Sequence, residues 1–164
     1  MTTLTQPMIQ DNTMAPQFDL PATTGHRVKL WSYKGRRNLA LFFVADINTD
    51  ETKSLLNEIA TKIKDYEDYN ATPIVVAQDN IESLEKIARD MDLPFPLASD
   101  VVGSVTSRYT MATPAVFVID RFGELYAQSP VDTGSGLPGH KRVIDWLGLI
   151  ELQCPECGVP TWRP

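Results

Sequence analysis

Few residues in this chain have side chains that do covalent or metal chemistry. The two cysteines, Cys154 and Cys157, stand close to the end in the segment QCPECGVPTWRP. A C-P-x-C-G segment forms a tight turn of the rubredoxin and zinc-ribbon kind, in which backbone N–H groups face the first sulfur and Gly158 permits the turn. It supplies half of a tetrahedral zinc site, because four ligands are needed and no second pair follows. Two chains that each donate a pair would complete it, giving a zinc shared across a homodimer. The other readings are a dithiol cycling with a disulfide, or an inert tail. The histidines, His26 and His140, lack ligand spacing to the pair and read as surface or loop residues.

The second chemical feature is a junction. Asn38 to Leu56 reads NLALFFVADINTDETKSLL, an apolar run, a short turn and an amphipathic stretch. A side chain at the N-terminus of the following helix meets unpaired N–H groups and the positive end of the macrodipole, a setting suited to an anion such as a thiolate. The residue there is Glu51. Asn48 and Glu51 have the N-x-x-E spacing of a capping box, and Asp79 with Glu82 repeats it before a later helix.

The elements that must position these groups follow from periodicity. Leu39–Val44 is a continuous apolar run, expected of a strand buried on both faces. Leu55, Leu56, Ile59, Ile63 and Tyr66 recur at three- and four-residue spacing and predict one helix over 49–69. TPIVVAQ reads as a second central strand, with a helix to about Met91 after it. Asp100 caps a short helix over 101–109, and PAVFVI with 124–128 forms a terminal hairpin. A last helix spans 140–150, and Thr24-Gly25 turns an N-terminal hairpin. Trp31 and Tyr33 are expected in the core. Alternating β and α units with a closing hairpin imply an α/β domain over 15–150, its mixed central sheet flanked by helices. Residues 1–14 read as a flexible arm, and 151–164 as a CPECG tail.

Composition narrows the partners. The chain has 164 residues, 43% of them hydrophobic, and a formal net charge of −6. That suits one domain with a full core and disfavours nucleic acid or an anionic membrane as partner. No apolar stretch approaches the length of a membrane span, and the polar N-terminus lacks the order of a signal peptide. A cytoplasmic location is the expectation.

The segments APQFDLPATTGHRVKLWSYKGRRNLALFFVAD, PIVVAQDN, LPFPLASD and TPAVFVIDRFGELY give the chain a specific resemblance. In their order and spacing they resemble the alkyl hydroperoxide reductase/thiol-specific antioxidant family, the peroxiredoxins of the thioredoxin superfamily. The resemblance implies a thioredoxin-like fold and an antioxidant or thiol oxidoreductase class. The family's reactive loop, P-x-x-x-T-x-x-C, places its proline at Val44, its threonine at Asn48 and its nucleophile at Glu51. Its peroxide-polarising arginine falls near Pro114, and Thr113-Pro114 instead fits the cis-proline of thioredoxins. A carboxylate has no sulfur to attack an O–O bond. The family site, with Asn48 and Pro114 lining its cleft, is therefore expected to be inactive. Two alternatives remain: a non-enzymatic binding or dimerisation module, and a thiol-disulfide reductase that uses Cys154 and Cys157.

Overall fold

The strand over Asn38–Val44 is buried at every position, and the rest of the molecule is built around it. The structure is a computed structural model that describes residues 9–129 and 137–152. In chain order the elements are β1 (Asp19–Leu20), β2 (Val28–Lys29), α1 (Leu30–Tyr33), β3 (Asn38–Val44), α2 (Asp50–Thr61) and α3 (Ile63–Asp68). These are followed by β4 (Ala71–Ala77), α4 (Ile81–Asp90), β5 (Leu97–Ser99), α5 (Ser104–Tyr109), β6 (Ala115–Ile119), β7 (Leu125–Gln128) and α6 (His140–Leu152).

Five strands form a sheet in the order β5-β4-β3-β6-β7. β3 pairs with β4 in parallel and with β6 antiparallel, so the sheet is mixed, as the sequence predicts. β1 and β2 make the expected separate hairpin. Because side chains alternate along a strand, β3 serves two cores. Ala40, Phe42 and Val44 pack with Leu56, Ile59, Tyr66 and Leu84 from α2, α3 and α4, and with Val143 and Leu147 from α6. Leu39, Leu41 and Phe43 pack on the other face with Phe18, Leu30, Val105 and Tyr109. Phe43, Tyr109 and Phe117 form a triad with ring centroids 5.0–5.6 Å apart, two of the pairs edge-to-face.

One polar side chain lies at the start of this strand. Asn38 is fully buried, and its amide nitrogen donates to the Tyr69 carbonyl at 3.0 Å and to Glu151 Oε1 at 2.6 Å. Its amide oxygen accepts from the Arg121 N–H at 2.9 Å. The amide thereby ties the end of α6 and the β6–β7 turn to β3, with its donors and acceptor used.

Four expectations are corrected. The helix predicted over 49–69 breaks at Lys62 (φ −108°, ψ 20°) into α2 and α3. β-Branched Thr61 and Ile63 flank that residue, and Lys62 also bonds the Ile59 carbonyl three residues back, which tightens the turn. The short helix begins at Ser104, since Gly103 takes a left-handed φ of 76°. Asp100 still caps it, accepting from the N–H groups of Val105 and Thr106 and from the Thr106 hydroxyl. Trp31 is 68% exposed. Leu30 and Tyr33 share the inward face of the single turn α1, so Trp31 and Ser32 between them point out. Residues 9–14 belong to the fold and not to a loose arm: Ile9 is buried, and Asn12 and Thr13 pair with Leu125 across their backbones. Residues 1–8 lie outside the described residues. No helix among the described residues is long and apolar enough to cross a membrane.

Candidate functional site

The β3–α2 junction is held by carboxylates from two loops. Ile47, fully buried, anchors the turn, and its N–H donates to Asp79 Oδ1 at 3.0 Å. The Asn48 N–H donates to Asp46 Oδ1 at 2.8 Å, and the Asn48 amide reaches the Asp46 and Asp79 carboxylates at 3.3 and 3.4 Å. With Asn48 engaged there, the next residue caps α2. Thr49 Oγ1 accepts from the Thr52 N–H at 3.2 Å and donates to Thr52 Oγ1 at 2.8 Å. This corrects the capping box assigned to Asn48 and Glu51.

The second box shifts by one residue for the same reason. Asp79 is used by the turn, so Asn80 caps α4 by accepting from the Ser83 N–H at 2.9 Å. Glu82 is left in the first turn, where its charge suits the dipole.

Glu51 is the second residue of α2 and lines a cavity of about 410 Å³. Its walls are Val44, Ala45 and Asp46 at the end of β3, Thr49, Thr52 and Leu55 of the capped helix, and Thr113, Pro114 and Leu137 opposite. The Thr113-Pro114 peptide is cis and immediately precedes β6. The fold therefore brings Glu51 and Pro114 together. Asn48, expected to line the same cleft, turns away to the two aspartates. Cys154 and Cys157 lie outside the described residues, as does Trp162. Among the described residues no group of three or more His, Cys, Asp or Glu side chains could hold a metal ion.

A second cavity of about 290 Å³ adjoins the first and shares Glu51, Leu55 and Leu137 with it. Phe42, Ser54, Glu58, Pro138, Gly139, His140 and Val143 complete its lining. His140 is the functional candidate that the sequence reading misplaced. Its side chain is nine-tenths buried, with Nδ1 3.4 Å from the Tyr66 hydroxyl and 4.0 Å from Glu58 Oε1. Nε2 is 3.9 Å from Asp65 Oδ2 and has no hydrogen-bond partner among the described residues. Burial lowers the imidazole pKa below its usual value; Lys62 acts the same way, against Glu58 and Asp65. Burial first, and then Glu58 and Asp65, raise the Tyr66 pKa. The sequence does carry a signal for this placement. His140, Val143, Ile144 and Leu147 fall at i, i+3, i+4 and i+7, extending the apolar stripe of α6 by one residue. His26 is exposed in the N-terminal hairpin, as expected.

A mixed five-stranded sheet, helices on both faces and a cis-proline opposite a strand-to-helix junction define a thioredoxin-like protein. The AhpC/TSA family model matches residues 12–128, most of the chain, and the chain belongs to that family. Among solved structures it is similar to the peroxidoxin BcpB of Mycobacterium tuberculosis, with a TM-score of 0.73 and 18% identity over 87% of this chain and 98% of that one. It is similar also to the reduced 2-Cys peroxiredoxin of Plasmodium vivax, with a TM-score of 0.76 and 15% identity over 86% and 81%. The yeast mitochondrial 1-Cys peroxiredoxin gives a TM-score of 0.74 and 23% identity over 86% and 77%. Comparison with curated protein sequences gives no significant match.

Proposed function

We propose that this chain is a non-peroxidatic member of the peroxiredoxin-like family, a module that binds at the β3–α2 cleft without thiol turnover there. The observation that carries this reading is the composition of the cavity wall. Glu51 stands at the N-terminus of α2 against cis-Pro114, and no cysteine is among the residues described around it. A carboxylate there keeps the anionic character that suits a helix N-terminus, but it forms no sulfenic acid and is not cycled by a reductant. Peroxide reduction by the Cys154→Ser/Cys157→Ser chain, assayed with hydrogen peroxide, an alkyl hydroperoxide and excess dithiol, is expected at the level of the protein-free reaction. Enzyme-dependent turnover overturns the proposal.

A second reading gives chemistry to the tail thiols, and one observation favours its intermolecular form. α6 starts at the cleft with His140 and ends at the opposite end of the sheet, where Glu151 meets Asn38. By Glu151 the helix has travelled about 16 Å from His140. This favours the pair acting between chains, as a zinc bridge or as a dithiol, over a thiol entering its own cleft. One zinc per two chains by elemental analysis supports the bridge, and a zinc-free protein that forms a disulfide under mild oxidant supports the dithiol.

A further inference from the structure

We propose that the two joined cavities form one trough for an elongated aliphatic diamine, its ammonium groups held by Glu51 and Glu58. The inference rests on the cleft being a binding site and names its ligand class. Glu51, Leu55 and Glu58 lie at i, i+4 and i+7 on α2 and all face the cavities, so two carboxylates flank an apolar residue along one helix face. Their backbones are about 10.5 Å apart, two helical turns. Asp46 adds a third carboxylate to the lining of the first cavity.

The remaining wall is largely apolar: Phe42, Leu55, Leu137 and Val143 line the cavity that holds both glutamates, and Val44 and Pro114 continue the apolar wall into the adjoining one. No lysine or arginine lines either cavity among the described residues. His140, the one described lining group able to become cationic, has its pKa lowered by burial, which disfavours its charged form. A neutral alkyl chain would gain nothing from the two exposed carboxylates, and an anion would meet like charge on the wall. A single ammonium would engage only one of the two glutamates. A diamine satisfies both glutamates and the surface between them.

Isothermal titration of the full chain with 1,5-diaminopentane and spermidine, against 1-aminopentane and 1-pentanol, tests this without altering the protein. Saturable one-to-one binding is expected for the diamine and polyamine, weaker by several-fold for the monoamine and undetectable for the alcohol. Raising salt should weaken it. Glu51→Gln and Glu58→Gln should each lower affinity about three- to fivefold, as expected for one partly exposed ion pair, and the double variant about tenfold. Asp90→Asn, which removes an exposed carboxylate outside the trough, should leave it unchanged. Monoamine or alcohol binding as tight as diamine, an unaffected double variant, or absence of saturable binding each overturns the proposal. Peroxide turnover by the cysteine-free chain instead overturns the non-peroxidatic reading, so the two failures are distinct.

Discussion

At the scale of single residues, caps and one buried imidazole are the points where small changes have defined effects. Thr49→Ala removes an N-cap that bonds both the Thr52 N–H and the Thr52 hydroxyl, and should lower stability by about 1 kcal/mol in urea unfolding. Asn48→Ala, which leaves the cap intact, should cost less. His140 sets a pH dependence. Its folded-state pKa is depressed, so below the unfolded value the unfolded chain takes up more protons than the folded one. Stability is therefore full above about pH 6.5, the usual histidine value, and falls as pH drops through the folded pKa. The groups facing the ring are Glu58, Lys62, Asp65 and Tyr66, with Lys62 opposing the two acids. Thermal midpoints between pH 5 and 7.5 should fall on acidification, and His140→Gln should remove that part of the slope. Asp120 and Glu124, whose carboxyl pKa values are raised by burial, contribute the opposite sign at lower pH and are common to both proteins.

At the scale of elements, the central strand and the turn after it separate what a sequence states openly from what it leaves ambiguous. LALFFV declares β3 because six consecutive apolar side chains, too few for a buried helix and rich in aromatic residues, suit a strand covered on both faces. Phe43→Ala should cost about 3–5 kcal/mol by emptying the space between Tyr109 and Phe117. The caps were legible to within one position. Asn48-Thr49 and Asp79-Asn80 each offer two good capping residues, and the choice is made by a tertiary contact in which Asp79 crosses to the β3–α2 turn. Asp79→Ala should accordingly loosen that turn, orphaning the Ile47 N–H at about 1–3 kcal/mol, with faster amide exchange at Ile47 as the readout. The break at Lys62 and the burial of His140 were hidden for a related reason. One residue's propensity or polarity is a weak signal against the packing of three helices on a sheet. Residues 9–14 leave little trace in the sequence because they are fastened mainly by backbone bonds to β7, with Ile9 as their single buried apolar anchor.

At the scale of the whole molecule, the family is plain and the chemistry is individual. The order and spacing of segments from Ala15 to Gln128 are enough to recognise the fold, because a two-sided sheet constrains where apolar runs and turns can fall. The cleft is another matter. Its walls come from β3, α2, the residues before β6 and those before α6, four places far apart in the chain, so only Glu51 and Pro114 could be placed there from motif spacing. The trough they share with Glu58 and His140 exists only once α6 packs beside α3 and brings His140 across from Glu58 of α2.

The buried amide at the start of β3 sets a boundary for anyone shortening this protein. Asn38 spends one of its two amide hydrogens on Glu151, so the last turn of α6 is a structural fastening and not an appendage. A truncation placed after Leu152 leaves that fastening whole, whereas one placed before Glu151 strands a buried donor at the start of the central strand. Loss of activity or of dimers in the shorter version would then report a damaged scaffold, and the full-length Cys154→Ser/Cys157→Ser chain is what assigns an effect to sulfur.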